Sequence, residues 1–182
     1  MLWFIDLAHS SLEFSVKHMV LSTVKGRFAT FRGNIAIDER NLALSTVNLE
    51  IEADSIQTGD AARDEHLRQS DFFDVVSYPT INFDSTQIIP EGDQNYQVVG
   101  NLTLHGITRP ISLQVRVEGK IKDMNGRETY IFNGAAVINR KDFGLTWHKV
   151  LETGGVVVGE QVNIYFNIET QTPALVVQAG TV

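Results

Sequence analysis

Apolar and polar side chains alternate residue by residue along most of this 182-residue chain. Leu12, Phe14, Val16 and His18 fall on one side of an extended segment, with Glu13, Ser15 and Lys17 on the other. That is the period of a β-strand. Val47, Leu49, Ile51 and Ala53 repeat the pattern, as do Tyr96, Val98, Gly100, Leu102 and Leu104. Ile111, Leu113, Val115 and Val117 follow, and near the end Val162, Ile164, Phe166 and Ile168. Weaker alternation covers 28–38, 80–88 and 130–139. Eight strands are predicted, each polar on one face, which marks antiparallel rather than buried parallel sheet.

The segments between them carry turn chemistry. Asn125-Gly126 stands between two alternating runs, a strong hairpin signal, and Pro90–Asp93 and His105–Pro110 mark further connections. One helix is predicted over 60–69, with Thr58 or Asp60 as N-cap, and an irregular stretch from Arg140 to Val158. With no linker, low-complexity tract or repeat, residues 1–172 read as one domain and 173–182 as a frayed tail. Eight two-faced strands leave open edges unless they pair as a sandwich or close as a barrel. Alternation alone fits both. The mostly up-and-down order favours closure, and so do small residues at inward positions, namely Gly100, Gly134 and Ala136. The fold class is therefore all-β: an eight-stranded antiparallel up-and-down barrel with one short helix. On this reading the small inward residues leave room for a ligand.

Composition narrows the function. The 15 basic and 22 acidic residues give a net charge of −7 with no basic run, so nucleic acid is not an expected partner. There is no cysteine, hence no disulfide, thiolate metal centre or cysteine nucleophile. No apolar run reaches the roughly 18 residues needed to cross a bilayer as a helix. Met1-Leu2-Trp3-Phe4-Ile5-Asp6 lacks the features of a signal peptide, which sets the expectation of a cytoplasmic location. His9, His18, His66, His105 and His148 show no HxH or HExxH spacing, so no metal is expected. Ser10 and Ser11 follow His9 without a nucleophile elbow, and the glycines of 154–159 form no phosphate loop.

His18 continues the inward face of β-strand residues Leu12, Phe14 and Val16. It reads equally as a core histidine bonded to a carbonyl or as a polar handle in an apolar cavity. Most aromatics read as core. Phe72 and Phe73 after the helix, and Phe143 and Trp147 in the irregular stretch, lie outside strands and are candidates to cover a barrel mouth.

Several stretches resemble the YceI-like proteins. They are Trp3-Phe4-Ile5-Asp6 with His9-Ser10, Phe14–Met19, Ser55–Gly59, Arg63–Arg68, Asp71–Asp74 with Tyr78-Pro79 and Phe83, Gly100–Pro110 and Ile138–Trp147. The resemblance runs in order from residue 2 to about 170. It implies a lipocalin-like barrel that stores or transports a long-chain amphiphile in an apolar tunnel. The implied ligand is a polyisoprenoid, either an isoprenoid quinone or a polyprenyl compound, with no other cofactor and no firm catalytic activity. It further implies a homodimer that touches membranes transiently. Many relatives are periplasmic, whereas this sequence resembles the cytoplasmic members. The expected tunnel lining is Phe14, Val16, His18, Phe28, Leu102, Leu104, Phe132, Ala136, Trp147 and Phe166, with Phe72, Phe73 and Phe143 at the mouth. Two alternatives stand beside this reading: a lipid-modifying enzyme using His18 in the same barrel, and a filled-core module acting through its outer surface.

Overall fold

The computed structural model describes residues 1–19, 21–122, 126–149 and 157–172. Its strands are β1 (Leu2–Ile5), β2 (Ser11–His18), β3 (Ser22–Phe28), β4 (Phe31–Ala36), β5 (Thr46–Glu52), β6 (Ile56–Gln57), β7 (Thr80–Gly92), β8 (Asn95–Leu104), β9 (Ile107–Lys122), β10 (Glu128–Asn139) and β11 (Val158–Gln171). One α-helix, α1 (Ala61–Arg68), follows β6.

The early segments are halves of bent ribbons. β2 pairs with β3 while β1 pairs with β4, and β4 pairs with β5 while β3 pairs with β6. The pairs β1/β2, β3/β4 and β5/β6 thus act as three ribbons, and β7 to β11 add five more, each antiparallel to the next. β11 then returns to β2, and to β1 through Phe4↔Gln171 and Ile5↔Thr170. The result is the closed eight-stranded antiparallel barrel that alternation favoured. β1, β3 and β6 were not predicted as separate strands. β1 and β6 are too short for a period to show, and β3 (STVKGRF) carries few apolar residues.

The turns are tighter than expected. Only His105 and Gly106 join β8 to β9, both with positive φ (52° and 71°), as a two-residue hairpin turn of this hand requires. β9 therefore begins at Ile107 and contains Pro110. Asp93 and Gln94, also at positive φ, make the turn placed at Pro90–Asp93. Asn125, the Gly154-Gly155 loop and the tail 173–182 lie outside the described residues.

Helix α1 is capped by Asp60, whose Oδ1 accepts the Arg63 backbone N–H at 3.0 Å, satisfying one of the helix's orphan donors. Polar contacts tie it to the barrel. Buried Asp64 accepts the Thr58 N–H (2.8 Å) and hydroxyl (2.5 Å), and Arg68 donates to the carbonyls of Asp54 and Ile56.

The small inward residues do not open space. A methyl group at Gly26 would strike the Phe14 ring, one at Gly100 the Phe83 ring, and one at Gly134 the Phe166 ring. Each glycine is roofed by an aromatic side chain from the neighbouring ribbon, with Phe14↔Gly26 and Gly134↔Phe166 direct cross-strand partners. These glycines let large rings lie flat along the wall, the pairing known to stabilise glycine in strands.

Candidate ligand cavity

Eight ribbons closed into a barrel set the inner width, and the inward side chains decide how much of it is filled. Here they leave a cavity of about 640 Å³. Its wall is overwhelmingly aliphatic and aromatic and draws on every ribbon, from Leu12, Phe14 and Val16 round to Val162, Ile164, Phe166 and Ile168. Alternation is not unbroken: at the register shift Ser85/Gln87 the extra residue Thr86 inverts it, so Ile81 and Phe83 face the cavity before the shift and Ile88 after it. At Val158/Val162 two extra residues leave the parity unchanged, and both valines border the cavity.

One end is sealed. Trp3 is fully buried among Ile35, Ile37, Val117 and Tyr130. Its ring meets Tyr130 edge-on (centroids 4.9 Å apart, 89°), and Tyr130 stacks on Phe132. Among the described residues the Trp3 Nε1–H has no hydrogen-bond partner, and burial pushes the Tyr130 phenol up from its ordinary pKa.

The opposite end is a rim built from α1, the segment 140–149 and the start of β11. His66, Phe72 and Trp147 contact one another there, with ring centroids 5.0 to 5.3 Å apart. Phe73 leads inward through Phe28 to Phe14. Lys17, His18, Thr58, Asp60 and Arg63 supply polar atoms around this rim. Arg140, only 4% exposed, fastens it. Its guanidinium donates to the carbonyls of Leu145 (2.5 Å), Trp147 (2.8 Å), Val158 (3.2 Å) and Gly159 (2.7 Å). Four carbonyls thereby gain a shared donor, and the Trp147 segment is held against β11. Burial lowers the Arg140 pKa from its ordinary value, with Glu160 opposing.

Of the residues expected to line a tunnel, Phe14, Val16, His18, Phe28, Leu102, Leu104, Phe132, Trp147 and Phe166 border the cavity, as do Phe72 and Phe73. Two do not. Ala136 occupies the inward face but is covered; its strand partner Ile164 and the neighbouring Ile138 reach the cavity in its place. Phe143, expected at the mouth, is 1% exposed in the main core cluster. The 3-10 turn Arg140–Phe143 directs it inward while Trp147 takes the rim. Arg140, Arg63 and His66 were not singled out from the sequence. Arg140 lies in the recognised stretch Ile138–Trp147, but nothing in its local pattern signals a buried charge.

A closed antiparallel barrel around an apolar cavity, stoppered at one end and rimmed by a helix at the other, is a lipocalin-like barrel. The chain belongs to the YceI-like family, whose domain it matches over residues 3–170. It is 38% identical to a UPF0312 protein of Vibrio parahaemolyticus over 138 residues, covering 76% of this chain and 73% of the relative. A UPF0312 protein of Pseudomonas paraeruginosa is 38% identical over 137 residues, 75% and 71% of the two chains. Among solved structures, BcnA of Burkholderia cenocepacia superposes with a TM-score of 0.80 at 26% identity, over 91% of this chain and 98% of that one. A polyisoprenoid-binding domain from Saccharophagus degradans shares the fold with a TM-score of 0.69 at 18% identity, over 94% and 98%.

Proposed function

We propose that this protein is a non-catalytic carrier or store for a long-chain amphiphile of the polyisoprenoid kind, held in the barrel. The observation that carries the reading is the continuous apolar cavity of about 640 Å³ running from the Trp3 stopper to the α1 rim. An apolar cavity of about 150 Å³ takes one benzene, so a cavity of this size corresponds to roughly 25 carbons, about five isoprene units. A longer chain would leave its remainder at the rim. The name of the Saccharophagus domain points the same way.

The rim is also the natural loading end. Leu21 at the β2–β3 tip and Val76 in the connection after α1 are 95% and 92% exposed, and Met19 stands out beside Leu21. Moving a prenyl chain from water into an apolar site is worth about 0.8 kcal/mol per CH₂, whereas transfer from a bilayer is close to neutral. Loading from a membrane surface through these side chains keeps the chain out of water throughout.

The cavity wall supports a binder over an enzyme. Among the described residues, the one serine–histidine contact near it places Ser22 Oγ 3.4 Å from His18 Nδ1, longer than proton transfer requires. That hydroxyl is already donated to the His18 carbonyl at 2.7 Å.

Native mass spectrometry of protein purified without detergent tests the reading, followed by organic extraction and a prenyl chain-length series. One bound lipid per chain, with affinity levelling off near five isoprene units, is the expected result. Protein that is lipid-free and takes up no member of the series overturns it.

A further inference from the structure

A buried arginine is expensive unless its charge and all its donors are answered. Arg140 borders the cavity and has five N–H groups. Four go to carbonyl oxygens, which among the described residues leaves one N–H of Nη2 without a partner. Among the described residues no carboxylate lies within ion-pairing distance of it, and Glu160 acts on it from further off. The carbonyls of the latch account for its hydrogen bonds but bring no negative charge. His18 sits next door, paired with Val158, whose carbonyl accepts from Arg140 in that latch.

The wider rim carries both signs: Lys17, Arg63 and Arg140 border the cavity with Glu13 and Asp60, Asp71 pairs with His66, and Glu160 acts on Arg140 from behind the wall. Among the charges that border the cavity, Arg140 is the buried one. At the stoppered end the cavity wall offers no charged group at all, with Ser45 and Tyr96 its polar members.

From this asymmetry we infer that the amphiphile carries an anionic oxygen head group, a carboxylate or a phosphate ester, and binds tail-first with that head at the α1 rim against Arg140 and His18. The inference rests on the binding reading above and adds to it the ligand's charge and direction. The acceptor oxygen takes the fifth guanidinium N–H, and the buried charge gains its counter-charge, the kind of hydrogen bond that is shorter and stronger than a neutral one.

Four probes with one C20 chain test it: geranylgeranoic acid, geranylgeranyl monophosphate, geranylgeraniol and geranylgeranylamine. Each displaces a neutral naphthylamine dye from the native protein. The acid or the phosphate should bind about tenfold tighter than the alcohol, the worth of one charge-assisted hydrogen bond, with the amine weakest. Because the contact is buried, the preference should persist in 0.5 M salt at roughly the same ratio. Acetate and inorganic phosphate, lacking the chain, should displace nothing. Arg140→Met should bring the ratio of acid to alcohol affinity down to near one, whatever the loss of the latch does to affinity for all four probes. If that variant fails to fold, the native ratio decides alone. Equal binding of acid, phosphate and alcohol, or an amine that binds as well, overturns the inference and leaves the binding reading standing. If none of the four displaces dye, both fall together.

Discussion

At the stoppered end, the cavity is closed by Trp3, Tyr130 and Phe132, residues that belong to the strands themselves. At the rim it is bordered by Phe72 and Trp147, which belong to connections laid across the barrel and fastened by Arg140, Arg68 and Asp64. The first closure is part of the core and opens only if the fold does. The second depends on a few hydrogen bonds to carbonyls and can exchange partners without disturbing strand pairing. Stability and access are thus assigned to opposite ends of one cavity.

The largest effect should come from breaking the stopper. Trp3→Ala removes a fully buried ring and should lower unfolding free energy by about 3–5 kcal/mol, read by chemical denaturation. Trp147→Ala at the rim should cost well under half of that and appear as faster ligand release. If the two variants lose equal stability, the division between ends is wrong.

An intermediate effect should follow from crowding the wall between the ends. A methyl group in Gly134→Ala meets Phe166 and the Gln114 carbonyl, so the ring must swing into the cavity. We expect a loss of about 1–3 kcal/mol together with weaker binding of the longest chains. Phe166→Leu in the same chain removes the ring clash but not the one with the Gln114 carbonyl, so it should restore only part of each loss. A thermal melt unchanged by the single substitution would show that the ring is not held where the structure places it.

The smallest effect on the fold, and a selective one on access, is expected from Leu21→Asp. Leu21 is almost wholly exposed, so the melting temperature should stay within a degree or two. The rate of lipid uptake from vesicles should fall several-fold while affinity in solution holds. An unchanged uptake rate would remove the membrane-loading step.

Much of this was legible because a barrel writes itself in period two. The runs at Leu12, Val47, Val98, Ile111 and Ile164 named inward positions correctly, since each ribbon is apolar on one face only. The helix was legible from its cap, Asp60. What the sequence hid depends on neighbours in space. The glycines at 26, 100 and 134 look like missing bulk until the partner ribbon's phenylalanine is seen lying over each. Ala136 was misplaced because alternation gives a direction, not the distance a side chain reaches, and Phe143 because a place outside the strands does not show the 3-10 turn that directs it inward. Arg140 reads as an ordinary surface cation, and only the fold surrounds it with four carbonyls.

The seam where β1 meets β11 joins Phe4 and Ile5 to Gln171 and Thr170, positions separated by nearly the whole chain. During synthesis the ring therefore stays open until its last strand has left the ribosome, and the greasy inner surface of the other ribbons faces solvent for most of that time. Contacts so distant in sequence also make closure slow. The interval before closure is when this protein is most exposed to aggregation, and an oily guest present at that moment would be enclosed as the ring shuts.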